Sequence, residues 1–428
     1  MLSDSSPLVA LRHRNFRLLW SSQLVSMAGS MMQNTAILWH VSTLVPLRDR
    51  GLALGMVGLV RIAPIIGFSL LSGVVADAVD RRKVMLVTQS GMALTAAALA
   101  AVDFAGVHAL WPVYLLAAIS SAFGSFDAPA RQSLIPNLVP REHLPNAISL
   151  NTIMFQTASV AGPALGGLVL AAAGVGWAYA LNALSFLVVI AALLAMRGLP
   201  VRRPGERNPI SMRAAREGLA FVFHTPLIRS TMLLDFFATF FASATALLPI
   251  FAQSHLGITR HDAQARAYGL LASAPAVGAL ITSVALVPLI DRIRRRGVTM
   301  LWAVVGYGLA TMVFGVSHAF WLTFLCLALT GATDTVSMVI RNIVRHLNTP
   351  DEMRGRMTSV NMIFFMGGPQ LGELEAGLVA NAWGAVWSVV SGGVGCIVAT
   401  GLVAWRTPML RRYQRETPVI TSRRTVSA

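Results

Sequence analysis

The chain has 428 residues, of which 55% are hydrophobic and only 12% are charged, and its mean hydropathy is +0.65. Because an ordinary soluble domain carries about twice that share of charged residues, the composition excludes a soluble globular protein and indicates a membrane protein. The formal net charge of +16 does not indicate nucleic-acid binding, since the basic residues follow a membrane pattern described below.

Apolar runs of about 20 residues recur along the chain, and this is the length that a helix needs to cross a hydrocarbon core of about 30 Å. They predict an all-α membrane protein with twelve transmembrane helices. The first run is too long for a cleavable signal sequence, and no small-residue cleavage site follows it. The predicted spans are 17–43, 53–76, 84–103, 110–130, 148–173, 176–196, 229–254, 267–290, 298–317, 320–341, 358–380 and 384–405.

The basic residues are distributed unevenly between the predicted loops. Of the 34 Arg and Lys residues, 29 fall on the side that holds both termini, four fall on the other side, and Arg61 lies within a span. The positive-inside rule therefore predicts cytoplasmic termini. Lys83 is the only lysine beside many arginines, which is typical of a GC-rich bacterial genome, so we expect a multi-pass protein of the bacterial inner membrane.

The two halves of the chain repeat. "DAVDRRKV" from Asp77 resembles "DRIRRRGV" from Asp291, and "GPALGG" from Gly162 resembles "GPQLGE" from Gly368. Between them, the segments that begin at Arg131 and Arg341 align, with Arg, Pro, Glu and Asn residues in register. Parallel six-helix repeats are the plan of a large transporter class, whose substrate site lies near the membrane midplane between the halves.

The repeat predicts two pseudo-symmetric six-helix bundles joined by an Arg- and Pro-rich linker. Within the linker, "ISMRAAREGLAFVF" has apolar residues at helical spacing, which indicates either a helix along the membrane surface or a solvated segment. The predicted boundaries are 1–197 for the first bundle, 198–228 for the linker, 229–405 for the second bundle and 406–428 for a cytoplasmic tail.

The loop after the second span carries "GVVADAVDRR", which resembles the signature of the major facilitator superfamily. Its glycine, acid and paired arginines fit, while Ala78 and Asp80 depart from the usual pattern. Within the superfamily, "FDAPARQSLIPNLVPREHLPNAISLN" and "QLGELEAG" look most like the bacterial exporters grouped around enterobactin export and the drug/proton antiporters. The resemblance covers essentially the whole chain and implies the major facilitator fold.

In that family the loop cluster stabilises the outward-open state, and the resemblance implies that Asp127 is its acidic partner. The alternative is a loop whose charges only fix the orientation in the membrane. The residues that the gating interpretation involves are Gly73, Asp77, Arg81, Arg82, Asp127, Arg131, Asp291 and Arg295.

The fifth span carries "GPALGG", with Gly162, Pro163, Gly166 and Gly167. This segment resembles the motif of antiporters in these families and so implies export, although Ala158 replaces a glycine expected four residues earlier. Small residues also allow close helix packing in any membrane protein, which is the simpler alternative.

Ionisable residues inside a span are costly unless they face a cavity or a partner, so they are candidates for function. By helical rise, Arg61 and Glu373 both lie about 5 to 6 Å outward of the midplane. In the superfamily that the chain resembles, helix 2 packs against helix 11, so the resemblance implies that Arg61 pairs with Glu373 or Glu375. The alternative is that Glu373 is a static counter-ion while Glu375 reaches the headgroups. Asp235 and Asp334 either bind a proton or a cationic substrate, or close a gap between helices. The sequence shows no partner for His40 near the outer end of the first span, so we expect it to be interfacial, with a proton role as the alternative.

These observations together predict a secondary active transporter, a proton-coupled exporter of small amphipathic molecules such as siderophores or drugs. A facilitator or importer, and a sensor or scaffold without transport, are the alternatives. Motifs for phosphate loops, nucleophile elbows and metal-binding helices are missing from the sequence, and Cys326 and Cys396 fall within spans. We therefore expect no enzyme activity, no metal and no cofactor, with a proton gradient as the energy source. The expected partners are a small-molecule substrate, protons and the lipid bilayer, with no nucleic acid, and the chain is expected to be a monomer.

Overall fold

The protein is described by a computed structural model for residues 8–197, 212–241 and 243–414, and helices are the regular elements of these residues. Short 3-10 segments join some of them. The helices are α1 (Arg14–Leu44), α2 (Arg50–Ala78), α3 (Arg81–Phe104), α4 (Leu110–Leu134), α5 (Leu144–Ala172), α6 (Val175–Ala195), α7 (Met212–His224), α8 (Pro226–Phe241), α9 (Leu248–Ile250), α10 (His261–Leu289), α11 (Arg296–Val316), α12 (Phe320–Leu347), α13 (Asp351–Trp383), α14 (Ala385–Arg406) and α15 (Pro408–Arg412).

Ten helical stretches in the described part of the chain are long and apolar enough to cross a membrane. The remaining two predicted spans lie within α1 and α13, which have 31 and 33 residues. Both helices are long enough, but each carries more polar side chains, such as the buried Gln23 and Gln33 of α1. The fold is therefore an all-α membrane fold, and the count of twelve spans stays a prediction.

The seventh predicted span, 229–254, is interrupted. Helix α8 ends at Phe241, and a 3-10 turn, the short α9 and a π-helical segment Phe251–His255 follow it. Pro249 lies in the first turn of α9. Proline is tolerated there because the backbone nitrogen of a first-turn residue has no partner within its own helix. The predicted linker also contains a helix, since α7 begins at Met212; residues 198–211 lie outside the described part.

Exposed tryptophans stand near the ends of several helices. Five of them lie at ends that the positive-inside pattern places on the outer side, Trp111, Trp177, Trp321, Trp383 and Trp387, and two lie near ends that it places on the inner side, Trp302 and Trp405. Indole rings prefer the boundary between water and lipid, so these positions are consistent with the two interfaces of a spanning protein.

The helices group into two compact units. The first comprises Met1–Ala53, Leu59–Ile210 and Ala252–Ser273, and the second comprises Leu54–Gly58, Ser211–Phe251 and Ala274–Ala428. Each unit therefore includes a short piece of a helix that the sequence assigns to the other half. The predicted bundles, 1–197 and 229–405, stay a prediction.

In the first unit, α1 packs against α5 and α6, and α3 packs against α4 and α6. A buried apolar core fills the space between these helices; it includes Phe16, Leu19, Met85, Leu134, Leu150 and Val189. In the second unit, α8 packs against α13 and α14, and α11 packs against α12 and α14. Its core includes Leu227, Leu234, Met300, Val304, Ile340 and Val344. These apolar side chains hold the helices of each unit together, and polar contacts between the helices position the functional groups.

Two histidines tie the start of α1 to the start of α5. Nε2 of His13 lies 2.9 Å from Nδ1 of His143. Burial, followed by the neighbouring charges of His143 and Arg12, lowers the pKa of His13 below its ordinary value of 6.5, although Glu142 acts in the opposite direction. The folded state therefore favours the neutral form of His13.

Candidate functional site

A cluster of charged side chains lies on α8 and α12 in the second unit. Nη2 of Arg341 is 2.8 Å from Oδ1 of Asp235 and 3.2 Å from Oδ1 of Asp334. The side chains of Arg341 and Asp235 are 2% and 4% exposed, whereas that of Asp334 is 39% exposed. One guanidinium is thus shared by a buried carboxylate and an accessible one.

Helix α12 presents its part of the cluster because of residue spacing. Asp334, Ser337, Arg341 and Arg345 follow one another at intervals of three, four and four residues, so they lie on one face of the helix. Nη1 of Arg341 donates to Oγ of Ser337 at 3.0 Å, which fixes the guanidinium along this face.

The guanidinium of Arg345 binds the neighbouring helix α13. Arg345 is 3% exposed; its Nη2 donates to Oδ1 of Asn342 at 3.0 Å, and its Nη1 donates to Oδ1 of Asn361 on α13. Nε of Arg345 also donates to the carbonyl of Arg341 at 3.3 Å. Arg345 therefore links the charged face of α12 to α13.

The arrangement gives the two carboxylates different chemistry. Asp235 is buried against Arg341, and removing its charge would leave a buried cation without its nearest counter-ion. Asp334 shares the same guanidinium but reaches an accessible surface, so it can accept a proton while Asp235 keeps Arg341 paired. An ionised Asp334 can also accept hydrogen bonds from a hydroxyl or ammonium group of a bound molecule.

The sequence interpretation named both aspartates but missed their partner. The predicted span ends at Arg341, whereas α12 continues to Leu347, and the side chains of Arg341 and Arg345 are both buried. The spacing of Asp334, Ser337, Arg341 and Arg345 on one helical face was a signal in the sequence that could have identified them.

Asp127 occupies a related position in the first unit. It is 6% exposed, and its Oδ1 accepts hydrogen bonds from Thr88 at 3.1 Å and Gln89 at 2.9 Å on α3. Its Oδ2 lies 3.6 Å from Nε of Arg131, one turn further along α4. Asp127 thus joins α3 to α4 and pairs with the residue that the internal repeat matches to Arg341.

The arginines of the predicted gating loop bind backbone carbonyls. Nη1 of Arg81 donates to the carbonyl of Ser133 at 2.6 Å, and Nη2 of Arg82 donates to that of Leu194 at 3.2 Å. The side chain of Asp80 caps α3 by accepting from the backbone N–H of Arg82 at 2.9 Å. These bonds tie the start of α3 to the ends of α4 and α6.

Four further residues are predicted members of this loop cluster. Gly73 and Asp77 fall on α2, but their side-chain surroundings lie outside the described part of the structure. In the second half, Asp291 and Arg295 are exposed. The role of the cluster as a gate stays a prediction.

The glycines of the fifth span lie at two close helix contacts in the first unit. A Cβ atom at Gly162 would lie 2.7 Å from the carbonyl oxygen of Ala28 on α1. A Cβ atom at Gly167 would lie 2.7 Å from Cα of Gly269 on α10. Pro163 and Gly166 are buried between these positions. The motif therefore brings α5 into backbone contact with both α1 and α10.

Arg61 and the glutamates of α13 were predicted to pair. Nη2 of Arg61 donates to Oδ1 of Asn34 on α1 at 3.0 Å. In the second unit, α2 packs on α13 at Gly58, where a Cβ atom would lie 2.9 Å from Cβ of Glu373. Glu375 is half-buried. The Arg61 pairing stays a prediction.

His40 was interpreted as an interfacial residue because the sequence shows no partner for it, and the structure gives it two partners. Its side chain is buried, with Nε2 at 3.4 Å from Oδ1 of Asp103 and Nδ1 at 3.2 Å from the hydroxyl of Tyr179. Both partners are more than 60 positions away in sequence, so no local pattern could reveal them.

The profile of the transmembrane secretion effector family matches residues 5–420. The chain belongs to this family. The match extends over both units and over all the polar sites described above.

Over most of its length, the chain is similar to enterobactin exporters. It is 29% identical over 351 residues to the enterobactin exporter EntS of Salmonella choleraesuis, a match that covers 82% of each protein. It is 27% identical to the enterobactin exporter EntS of Escherichia coli O1:K1, over 82% of this chain and 83% of that one. As a transmembrane secretion effector, the chain is a multi-pass membrane transporter of the major facilitator superfamily.

Solved structures support the fold. The chain superposes on a POT family transporter in complex with 5-aminolevulinic acid with a TM-score of 0.72 at 11% identity, covering 93% of this chain and 96% of that one. It superposes on a bacterial homolog of the human lysosomal transporter Spinster with a TM-score of 0.67 at 16% identity, covering 92% and 98%. At these identities the likeness defines the fold of this transmembrane secretion effector.

Proposed function

We propose that this transmembrane secretion effector is a proton-coupled exporter of small amphipathic molecules, including siderophores of the enterobactin type. The relatives named for enterobactin export support the substrate class and the direction. The observation that carries proton coupling is the accessible carboxylate of Asp334, which shares Arg341 with the buried Asp235.

Exchange follows from competition at one carboxylate. Ionised Asp334 accepts hydrogen bonds from a hydroxyl or ammonium group of the substrate. A proton that binds Asp334 removes this acceptor and weakens the bond to Arg341, so the substrate leaves. Asp235 keeps the guanidinium paired in both states, which avoids an isolated buried charge. A site that holds either a proton or the substrate exchanges one for the other across the membrane.

The remaining features support alternating access. The close contacts of Gly162 and Gly167 give helix crossings at which a bundle can rock, and the Arg81 and Arg82 contacts hold the helix ends that a gate would release. Pairing of Arg61 with Glu373 belongs to the same proposal. We place the protein in the bacterial inner membrane as a monomer with cytoplasmic termini, driven by the proton gradient without a cofactor.

The test is transport into inverted membrane vesicles, with and without a proton gradient, for a panel of siderophores and cationic drugs. We expect gradient-dependent uptake that Asp334→Asn abolishes. Asp49→Asn is the matched control, because it changes an exposed carboxylate in the loop between α1 and α2. Uptake that is independent of the proton gradient would indicate a facilitator. Uptake that Asp334→Asn leaves unchanged would rule out Asp334 as the proton-coupling residue.

A further inference from the structure

The first unit contains a buried polar cluster that the proposed transport site does not use. It joins three helices, because His40 lies on α1, Asp103 on α3 and Tyr179 on α6. His40 is 5% exposed and Tyr179 is 0% exposed, whereas the side chain of Asp103 is 26% exposed. The carboxylate is thus the member that reaches the surface, and the phenol is the innermost.

The neutral imidazole satisfies both of its contacts. Nε2 of His40 can donate its proton to Asp103 at 3.4 Å while Nδ1 accepts from the hydroxyl of Tyr179 at 3.2 Å. With Asp103 ionised, this arrangement carries one net negative charge. Among the described residues, His40 is the only basic side chain within ion-pair distance of Asp103. Burial opposes a charged imidazole, and the neighbouring carboxylate of Asp103 favours one because a proton on His40 would neutralise the cluster.

Two further titratable side chains act on the cluster from its surroundings. His108, in the segment between α3 and α4, is exposed and acts on His40 with a charge of the same sign. Tyr268 of α10 acts on Tyr179. Asp103 is the nearest charge of opposite sign and is part of the cluster, so it dominates the stabilisation of a protonated His40.

The carboxylate is held in place by a second bond. Oδ2 of Asp103 accepts a hydrogen bond from the backbone N–H of Gly176 at 2.9 Å, in the first turn of α6. This bond fixes Oδ1 towards His40. Further along α6, Nδ2 of Asn182 donates to Oε1 of Gln33 on α1 at 2.8 Å. Polar groups therefore continue from the cluster along the interface of α1 and α6.

We infer that Asp103, His40 and Tyr179 form a proton-binding site, with the imidazole of His40 as the proton acceptor. The inference rests on the proposed proton coupling, and the predicted orientation places Asp103 on the outer side, where protons enter. A protonated His40 donates from both ring nitrogens, so the hydroxyl of Tyr179 must turn its own hydrogen away. Proton binding thereby changes the bond that joins α1 to α6.

The test is the nuclear magnetic resonance titration of histidine ring nitrogens in the full-length protein, labelled at histidine and held in lipid nanodiscs. We expect one ring that changes from neutral to cationic between pH 8 and pH 5 and whose signal disappears in His40→Gln. The matched control is His108→Gln, which removes a different signal and leaves this titration in place. This readout requires no transport.

The role of the carboxylate is tested by Asp103→Asn. Loss of the negative charge should lower the midpoint of the His40 titration by about one unit or more. A His40 ring that stays neutral down to pH 5, or a midpoint that Asp103→Asn leaves unchanged, overturns the inference. If transport depends on the gradient but the His40 ring does not titrate, the inference is refuted and the proposed function stands. If the ring titrates but no transport occurs, the proposed function is refuted and the proton-binding site stands.

Discussion

The buried pairing of Arg341 yields the sharpest prediction. Arg341→Met keeps an unbranched side chain but removes the cation that two carboxylates share. One contact, to Asp235 at 2.8 Å, joins side chains that are at most 4% exposed, and breaking such a buried pair costs about 3 to 5 kcal/mol. The other contact, to Asp334 at 3.2 Å, involves a side chain that is 39% exposed, so solvent screening limits it to about 1 kcal/mol or less.

The buried contact therefore decides the magnitude. We expect Arg341→Met to destabilise the protein by about 3 to 5 kcal/mol, Asp235→Asn to cost less because Asp334 still pairs with the arginine, and Asp334→Asn to cost least. The double variant Asp235→Asn with Arg341→Met should be more stable than Arg341→Met alone, because it no longer buries an unpaired carboxylate.

Thermal unfolding in detergent, followed by the fraction that elutes as a monodisperse peak after heating, measures this order. All four variants are compared with the unmodified chain at one pH and one salt concentration. If Arg341→Met unfolds at the same temperature as Asp334→Asn, or if the double variant is no more stable than Arg341→Met, then the buried pair does not hold α8 and α12 together and the reasoning fails.

Three further predictions concern the first unit. Gly167→Ala should destabilise the protein by about 1 to 3 kcal/mol in thermal unfolding, because its new Cβ would lie 2.7 Å from Cα of Gly269. Acidification below about pH 6.5 should lower the unfolding temperature, because the lowered pKa of His13 means that the unfolded chain binds a proton more readily; the contribution is fully present above 6.5 and is lost as the pH falls. Asp127→Leu should cost about 2 kcal/mol more than Asp127→Asn in the same measurement, because it removes the acceptor of two buried donors.

Each of these has its own control. Gly166→Ala places a Cβ no closer than 3.4 Å to its nearest neighbours, so equal destabilisation by both alanines would show that the contact with α10 is not the cause. His13→Gln should reduce the acid-dependent loss, and an unchanged pH profile would assign that loss to other groups. If Asp127→Asn and Asp127→Leu unfold at the same temperature, hydrogen bonding of this side chain to α3 contributes nothing measurable to stability.

The membrane class and the helices could be predicted from the sequence because both depend on local composition. A helix satisfies its own backbone groups in lipid, so an apolar run of sufficient length predicts a spanning segment without reference to the rest of the chain. The exceptions α1 and α13 have a local cause too, because polar residues keep both helices below the composition of a typical span.

The candidate site was predicted only in part. Asp235 and Asp334 stand out as charges within apolar segments, so the cost of burying them singles them out. Their shared partner did not, since Arg341 is the last residue of the predicted span 320–341 and looks like a terminal arginine until α12 is seen to continue past it.

The sequence by itself determined which residues are unusual in a membrane, and only the tertiary structure decided which of them meet. Asp334 and Arg341 share a helix face, but Asp235 joins them from a helix about 100 residues earlier. His40 meets Asp103 and Tyr179 only because α1, α3 and α6 pack together. The physical reason is range: hydropathy and helical spacing act over one or two turns, whereas ion pairs and hydrogen bonds depend on which helices become neighbours.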